Sequence, residues 1–322
     1  MATPPPGQLK HVLSGLLDRS GAPAPEFYGT LAGYVVNVHW SDLQASQGGP
    51  IAANNAIDQA ISQVRGINAS AHRQLGIKVR IFSGVYAPDW AKNLGGSPVP
   101  VADPHSAQTG TVGRFWTDAF GQAYATLQAE LAAKYDQVPE VREVTISRCM
   151  TIFAEPFIRD ISSPTTVQAL VSAGFNAQTD VACQQGEITA HLVWHHTHSD
   201  LSFNPYQVIN SDGSTGRDEG FTEAMMDYCR KILGRACVLE NNSLRANIQP
   251  SYQAMYAKMR SLGPPLSIQT ASGSRVGDLM ATLSYAVSLG ANSVELPTGY
   301  QATPPASLDG PDKSLADNPA PG

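Results

Sequence analysis

The sequence predicts an α/β fold built as a single (β/α)8 TIM barrel, and three observations lead to this prediction. Strand-like and helix-like segments alternate along most of the 322 residues. Glycine directly follows several of the helical segments, where it supplies the left-handed cap that ends a helix. Strands separated by helices imply parallel pairing through crossovers, and no G-x-G-x-x-G motif follows the first strand to indicate a dinucleotide-binding sheet.

Seven strand-like segments are rich in β-branched and apolar residues. They cover residues 33–40, 77–84, 141–153, 200–209, 236–242, 265–271 and 291–297. We expect an eighth strand within the first thirty residues. Eight strands over this chain length favour a closed barrel over an open sheet.

Helical segments lie between these strands. In the first of them Ile57, Ile61, Val64 and Ile67 form one apolar stripe, as the 3.6-residue period of a helix requires. The predicted helices cover 54–75, 115–136, 165–176, 180–196, 221–233, 251–262 and 275–289, and glycines 234, 263 and 290 end the last three.

The two ends of the chain are rich in proline, glycine and small polar residues, as "ATPPPG" and "GPDKSLADNPAPG" illustrate. We therefore divide the chain into three parts. Residues 1–32 form an N-terminal tail and lead-in segment, residues 33–300 form the barrel domain, and residues 301–322 form a Pro/Gly-rich C-terminal tail.

The composition is that of a globular protein that forms a core, with 42% hydrophobic and 15% charged residues. The net charge is -6 and basic residues are not clustered, so a nucleic-acid partner is not expected. No apolar stretch is long enough to span a bilayer, so we expect no membrane partner. We also expect a monomer that needs no cofactor and no metal.

Four cysteines fit two disulfides and lack the close pairing of a metal site. Cys229 and Cys237 flank one helix-to-strand turn, and Cys149 on a strand could reach Cys183 on the helix packed against it. Disulfides indicate an oxidising compartment, so we expect a secreted, extracellular protein. The start, "MATPPPGQLK", is not a signal peptide, because it lacks an apolar core.

Candidate functional residues follow from the fold, because active sites of such barrels lie at the C-terminal ends of the strands. The residues at these ends are carboxylates, carboxamides, aromatics and a few cations, which suit the hydroxyls and apolar faces of sugars. As catalytic residues we select Glu155 and Glu295. As substrate-binding residues we select His39, Trp40, Trp90, Arg159, Asn204, Tyr206, Glu240, Asn241, Gln269 and Tyr300.

Three segments resemble the barrel strands of clan A glycoside hydrolases. "VNVHWSDLQASQGGPIAANNAIDQAI" and "KVRIFSGVYAPDW" are similar to their second and third strands, and "VTISRCMTIFAEP" to their fourth. In that fourth strand the general acid/base glutamate precedes a proline. The resemblance therefore implies a TIM-barrel glycosidase in which Glu155 is the general acid/base.

Two departures from that pattern leave the second carboxylate open. Ala154 stands where the family has asparagine before the acid/base. Gln269 lies near the place of the seventh-strand nucleophile. Hydrolysis normally needs two carboxylates, so we expect Glu295 first, or Glu240 second, to face Glu155 across the pocket.

Both acids could instead have a structural role. Glu155 could instead form a salt bridge with Arg159 or Arg148, and Glu295 could be a structural acid paired with Arg80.

The sequence thus predicts a hydrolase that cleaves O-glycosidic bonds of an oligo- or polysaccharide. The alternative is a non-catalytic carbohydrate-binding barrel that has lost the strand-7 nucleophile. A metal site at His195, His196 and His198 is disfavoured, because they lie where a helix runs into a strand, at the stability side of the barrel. A lyase or aldolase would need a lysine at a strand end, and Lys78 begins its strand.

Overall fold

The computed structural model describes residues 8–319, and the twelve strands in that range build one barrel and two hairpins. The strands are β1 (Gly15–Asp18), β2 (Gly33–His39), β3 (Gly76–Phe82), β4 (Val99–Asp103), β5 (Gln108–Val112), β6 (Val141–Thr145), β7 (His198–Ser202), β8 (Tyr206–Ile209), β9 (Thr215–Asp218), β10 (Cys237–Leu244), β11 (Leu266–Thr270) and β12 (Ser293–Leu296).

Eight of these strands close into a barrel in the order β1, β2, β3, β6, β7, β10, β11, β12, and every neighbouring pair is parallel. β1 closes the ring, since Leu17 pairs with Glu295 on one side and with Gly33 on the other. The predicted (β/α)8 TIM barrel is confirmed, and β1 is its eighth strand. Gly33 lets β2 and β3 approach, because a Cβ there would lie 2.2 Å from the Gly76 carbonyl oxygen.

Ten helices lie between these strands and after them within the described part of the chain. They are α1 (Trp40–Leu43), α2 (Ala56–Ala71), α3 (Asp89–Lys92), α4 (Asp118–Tyr135), α5 (Pro164–Ser172), α6 (Ala177–Ala190), α7 (Glu219–Leu233), α8 (Pro250–Leu262), α9 (Leu279–Leu289) and α10 (Pro305–Ala316). The predicted glycine caps are present, with φ of 58° at Gly234, 70° at Gly263 and 86° at Gly290.

The segment predicted as one strand from 141 to 153 is much shorter in the structure, because β6 ends at Thr145. Beyond that point, backbone amides donate hydrogen bonds to side chains of neighbouring helices. The Ser147 amide donates to the Tyr124 hydroxyl at 3.1 Å, and the Cys149 amide donates to Glu187 Oε2 at 2.9 Å. Residues 146–163 therefore form a long loop between β6 and α5.

The predicted strand 200–209 is two strands in the structure. β7 belongs to the barrel, whereas β8 pairs with β9 in an antiparallel hairpin above it. Pro205 lies between them and has no amide hydrogen to donate to a ladder. A second hairpin, β4 with β5, follows β3.

The barrel domain extends beyond the predicted range of 33–300 at both ends. β1 lies in the predicted lead-in segment, and α10 lies in the predicted C-terminal tail. α10 is anchored to β1, since the Leu16 amide donates to Asp312 Oδ1 at 2.7 Å and Leu308 is fully buried. Of the two prolines of α10, Pro305 occupies the first turn, where a missing amide hydrogen costs nothing, and Pro311 lies inside the helix. The outermost parts of both predicted tails, residues 1–7 and 320–322, lie outside the described residues.

Both predicted disulfides are present. Cys149–Cys183 has a Cα–Cα distance of 6.0 Å and ties the loop after β6 to α6. Cys229–Cys237 has a Cα–Cα distance of 5.9 Å and ties α7 to the start of β10. This pair of disulfides is compatible with an extracellular protein. Among the helices of residues 8–319, none combines the length and apolarity that crossing a bilayer would take.

The histidines of 195–198 hold the N-terminal segment against the barrel. His196 Nδ1 lies 2.8 Å from the Gln8 carbonyl oxygen, and His198 Nε2 lies 2.9 Å from that of Lys10. The Lys10 ammonium group in turn donates to the Val141 carbonyl oxygen at 2.6 Å. These contacts lie at the N-terminal end of the barrel, away from its mouth.

Candidate active site

A cavity of about 580 Å³ lies at the C-terminal mouth of the barrel. Segments that follow six of the eight barrel strands build its wall, so the fold brings together residues distant in sequence. The lining comprises Arg19, Asp103, His105, Phe153, Glu155, Ile158, Asp160, Ser162, Asn204, Gln207, Arg217, Asn242, Ser243, Arg245, Gln249, Tyr252, Gln269, Ala271, Ser272 and Arg275. This cavity is hereafter called the mouth pocket.

Glu155 lies in the wall of the mouth pocket, on the loop that follows β6, and its side chain is partly buried. Burial raises the pKa of Glu155 to about 7, although a hydrogen bond from Asn242 and the charge of Arg80 act in the opposite direction. The charges of Glu240 and Asp160 add to the increase. A carboxyl group with this pKa can give or take a proton near neutral pH.

Asp160 is a second carboxylate in the wall of the mouth pocket. Its backbone is left-handed, with φ of 55°, a conformation that costs a non-glycine residue about 1 kcal/mol or more. Oδ2 accepts a hydrogen bond from Thr151 Oγ1 at 2.9 Å, and burial raises the pKa of Asp160. Its charge contributes to the pKa of Glu155, so the two carboxyl groups interact electrostatically.

Asn204 and Gln269, both predicted to bind substrate, also lie in the wall of the mouth pocket. Asn204 is almost fully buried, and its Oδ1 accepts a hydrogen bond from Asn241 Nδ2 at 3.2 Å. Asn204 Nδ2 has no hydrogen-bond partner among residues 8–319. A buried donor of this kind is available to a ligand in the pocket. The binding roles of Asn204 and Gln269 stay predictions.

Asn241 lies behind this wall, not in it. It is fully buried, where it donates to the Phe203 carbonyl oxygen at 2.7 Å and accepts from the Tyr256 hydroxyl at 2.6 Å. Because it also holds Asn204, its position is that of a residue that orients the wall. The expectation of direct substrate contact by Asn241 is corrected accordingly.

Glu295 and Glu240 do not face the mouth pocket. Both are fully buried inside the barrel, where Lys78 Nζ lies 2.8 Å from Glu295 Oε1 and 2.6 Å from Glu240 Oε1. Arg80 Nη2 lies 2.6 Å from Glu295 Oε1, and Asp200 Oδ2 lies 2.9 Å from Lys78 Nζ. We call these five residues the interior ion cluster.

The interior ion cluster corrects the expectation that Glu295 or Glu240 is the second carboxylate of the pocket. Glu295 is instead the structural acid paired with Arg80, as the alternative interpretation held. Burial alone would raise the pKa of Glu295, but Arg80 and Lys78 hold it well below its usual range. A carboxylate fixed in this way is neither accessible to substrate nor able to accept a proton near neutral pH.

The predicted aromatic residues also lie away from the mouth pocket. Trp40 is fully buried, donates to Gln44 Oε1 at 3.1 Å and packs edge-on against Trp90. The Tyr206 hydroxyl donates to Asp180 Oδ2 at 3.0 Å, and the Tyr300 hydroxyl donates to Asp18 Oδ2 at 2.7 Å. Trp90 Nε1 donates to the Gln44 carbonyl oxygen at 3.2 Å. These rings fill the core, because a large apolar surface is most stable when it is buried.

Arg159 and His39 complete the residues that the structure places elsewhere. Arg159 is fully buried and forms a two-pronged ion pair with Asp180, at 2.8 and 2.6 Å. His39 stacks on Tyr86 with ring centroids 4.0 Å apart. Neither residue lines the mouth pocket.

Several pocket residues were not predicted from the sequence. They lie beyond the ends of the barrel strands, and the candidate residues were selected at those ends. The most prominent are four arginines, and two aromatic side chains, Phe153 and Tyr252, accompany them. The arginines are Arg19, Arg217, Arg245 and Arg275. Arginines scattered over four separate segments give no local signal, so only their convergence in space reveals them.

Comparisons with known proteins support the fold. Neither a protein-family model nor a curated protein matches this sequence. The catalytic domain of beta-amylase from Paenibacillus polymyxa is similar in structure, with a TM-score of 0.59 and 10% sequence identity, over 94% of this chain and 99% of that chain. This similarity confirms, at the level of the fold, the barrel that the resemblance implies.

Two further solved structures are similar to this chain with lower TM-scores. The beta-galactosidase from Rahnella sp. R3 has a TM-score of 0.49 at 12% identity, over 91% of this chain and 51% of that chain. The old yellow enzyme homologue from Zymomonas mobilis has a TM-score of 0.47 at 12% identity, over 98% of this chain and 89% of that chain. A barrel fold does not by itself determine function, which depends on the residues of the site.

Proposed function

We propose that this protein is a glycoside hydrolase in which Glu155 is the general acid/base. The single observation behind the proposal is the position and pKa of this carboxyl group. It lies in the wall of a cavity of about 580 Å³ at the C-terminal mouth of a barrel, and its pKa is raised to about 7. Such a group keeps a proton at the pH where an ordinary glutamate has lost it.

In this proposal Glu155 protonates the bridging oxygen of the glycosidic bond as the bond to the anomeric carbon breaks. The positive charge that develops on the sugar ring then needs a second carboxylate. Once the leaving sugar has departed, a water molecule forms the new bond to the anomeric carbon, and the ionised Glu155 accepts the proton that this water gives up. Asn242, which hydrogen-bonds Glu155, holds the carboxyl group in place through this cycle.

We assign the second carboxylate to Asp160. It lies in the same wall, its charge reaches Glu155, and Thr151 fixes one of its oxygens at 2.9 Å. The strained backbone at Asp160 also fits a functional position, since strain tends to persist where a site requires it. The other pocket acid, Asp103, is less suitable, because the hydroxyl of Ser106 and the amide of His105 already bind it.

Carbohydrate is the substrate class that suits the remaining wall. Phe153 is 37% exposed beside Glu155, so its ring is available to stack on the apolar face of a sugar. Asn204 and Gln269 offer amide groups to hydroxyls. An oligo- or polysaccharide outside the cell agrees with the two disulfides, and secretion and polysaccharide breakdown are part of the proposal.

A non-catalytic carbohydrate-binding barrel is the second candidate function. Gln269 favours it, because it lines the pocket at the end of β11, where an amide cannot serve as an attacking carboxylate. Under this alternative the pocket binds sugars and catalyses no hydrolysis.

A hydrolysis screen with matched variants separates the two functions. Aryl glycosides and plant and bacterial polysaccharides are incubated with the protein, and with its Glu155→Gln, Asp160→Asn and Glu26→Gln variants. We expect turnover by the parent, and losses of about 10²- to 10⁴-fold for the first two variants. Glu26 is exposed and outside the pocket wall, so its variant should keep full activity.

Two outcomes would count against the proposal. Equal turnover by the parent and by Glu155→Gln would remove Glu155 as the acid. Binding of a glycan by the parent without any hydrolysis across the screen would favour the binding barrel.

A further inference from the structure

We propose that the mouth pocket binds an anionic glycan, one whose sugar units carry carboxylate or sulfate groups. The inference specifies the substrate class of the glycosidase proposed above and rests on that function. It starts from the four pocket arginines, Arg19, Arg217, Arg245 and Arg275. They come from four different segments, which lie after β1, on β9, after β10 and after β11.

None of these four arginines forms a salt bridge with a residue in the described range 8–319. By contrast, the buried cations Lys78, Arg80 and Arg159 each pair with a carboxylate. The positive charge of the pocket arginines is therefore not neutralised by the protein. The chain as a whole has a net charge of -6, so this local excess of cations is unusual.

Arg19 shows how such a guanidinium is held ready for a ligand. Its Nε donates to the Leu296 carbonyl oxygen at 2.8 Å, and its Nη2 donates to Thr270 Oγ1 at 2.8 Å and to the Thr270 carbonyl oxygen. These neutral acceptors fix the orientation of the side chain and leave its charge in place. A guanidinium fixed in this way is preorganised to bind an anion.

Arg245 and Arg275 lie on neighbouring loops of the same wall. Arg245 is partly buried, and the structure gives it neither a hydrogen bond nor an ion pair with residues 8–319. Arg275 is exposed, and its Nε donates to Ser272 Oγ at 3.1 Å. Both guanidinium groups are thus free to pair with charges from a ligand.

A neutral sugar does not account for this wall. Closing a neutral glycan over unpaired guanidinium groups would remove water from their charges without supplying an opposite charge, which is costly. Carboxylate and sulfate oxygens repay that cost, since they accept two parallel hydrogen bonds from one guanidinium. The carboxylates of the pocket do not fulfil this role, because none of Asp103, Glu155 and Asp160 forms an ion pair with the four arginines in the described range.

Calorimetric binding measurements on Glu155→Gln, which removes the proposed acid and so prevents turnover, test the inference. The first pair of probes is oligogalacturonate and its fully methyl-esterified form, which share a backbone and differ in charge. The second pair is dextran sulfate and dextran. The pair that shows charge-dependent binding identifies the anion as carboxylate or sulfate.

We expect a charged probe to bind at least tenfold more tightly than its neutral counterpart, and to weaken strongly between 50 and 500 mM NaCl because salt screens the pairing. Added to Glu155→Gln, the Arg245→Gln and Arg275→Gln substitutions should each weaken that binding about tenfold. Arg260→Gln is the matched control: this arginine is exposed on α8, outside the pocket, and its loss should leave binding unchanged. Circular dichroism and thermal unfolding confirm that each variant is folded.

The inference is overturned if each neutral probe binds as tightly as its charged partner, if no probe binds, or if Arg245→Gln and Arg275→Gln bind like the control. These results differ from those that would refute the hydrolase. Charged glycans that bind but are never hydrolysed by the parent leave the inference standing and remove the proposed function. If neutral glycans are hydrolysed, and bind as tightly as charged ones, the proposed function stands and the inference is refuted.

Discussion

The interior ion cluster and the mouth pocket are two charged regions in one barrel. Within residues 8–319, cations are paired with carboxylates in the cluster and are unpaired in the pocket. In the cluster every cation has a carboxylate partner within 2.9 Å, and both Lys78 and Glu295 are fully buried. In the pocket the arginines have no carboxylate partner among the described residues, and Glu155 keeps a proton near neutral pH. Charge in the cluster is compensated within the protein, whereas unpaired charge in the pocket is available to a ligand.

This difference teaches that a carboxylate near the end of a barrel strand is not a catalytic residue by its position alone. Glu295 and Glu155 both end apolar segments and both are followed closely by proline. Glu295 meets two cations on β3, which hold it ionised inside the barrel. Glu155 lies on a loop above the barrel, where burial without a strong cationic partner raises its pKa.

The largest expected effect comes from breaking the cluster at its centre. Lys78→Met would leave Asp200, Glu240 and Glu295 without their shared partner, so the free energy of unfolding should fall by about 3–5 kcal/mol. Urea denaturation measures this change. Lys231→Met, on the exposed side of α7, should change the same quantity by no more than about 0.5 kcal/mol. Equal effects of the two substitutions would contradict the structural role of the cluster.

Glu295→Gln tests the interior ion cluster by removing one of its carboxylates instead of its lysine. Arg80 would lose its close carboxylate, and we expect a loss of about 3 kcal/mol in unfolding free energy, the lower end of the range because Lys78 keeps two other partners. Turnover per folded molecule should stay the same, because Glu295 does not reach the pocket. A stable variant that has lost its turnover would restore Glu295 as a catalytic candidate.

The pH profile probes the mouth pocket. Because the pKa of Glu155 is raised to about 7, the acid form is present below that pH and is lost above it. The proposed hydrolysis should therefore fall about tenfold per pH unit above pH 7. A profile that stays flat up to pH 9 would show that Glu155 is not the acid.

The free energy of unfolding should depend on the same titration of Glu155. Between the ordinary pKa of 4.5 and the raised value of about 7, the folded protein holds a proton on Glu155 that the unfolded chain has released. The contribution of Glu155 to stability therefore falls as the pH rises through this window. Glu155→Gln, which cannot ionise, should become progressively more stable than the parent from pH 5 to pH 8, and denaturation at both pH values measures this difference.

The smallest expected effect belongs to the pocket arginines. Arg245→Gln removes a charge that has no partner within residues 8–319, so the free energy of unfolding should change by no more than about 0.5 kcal/mol. Thermal unfolding alongside Lys78→Met tests this contrast. A loss above about 2 kcal/mol would mean that Arg245 is structural, and the comparison between the two regions would fail there.

Much of the fold was determined by local sequence patterns. Local patterns predicted the helices and strands, because helix and strand periods are properties of neighbouring residues. Examples are the apolar stripe of α2, the glycine after α7 and the β-branched segments. The alternation of those elements then leaves few topologies other than a parallel barrel. The Cys229–Cys237 disulfide followed in the same way, since it joins a helix to the next strand of the chain. Cys149–Cys183 spans more of the chain, because α5 lies between the loop after β6 and α6.

Three polar residues selected from the sequence, Glu155, Asn204 and Gln269, lie in the pocket wall, and the rest of the site depends on tertiary structure. Whether Glu295 faces substrate or a cation depends on Lys78 and Arg80, more than two hundred residues away in the sequence, and on the layer of the barrel in which all three meet. The pocket arginines likewise converge only when the loops of different strands are brought to one mouth. Local sequence determines the elements because their hydrogen bonds and periods are local. The charge environment of a side chain is set by residues that are distant along the chain, so only the folded barrel reveals it.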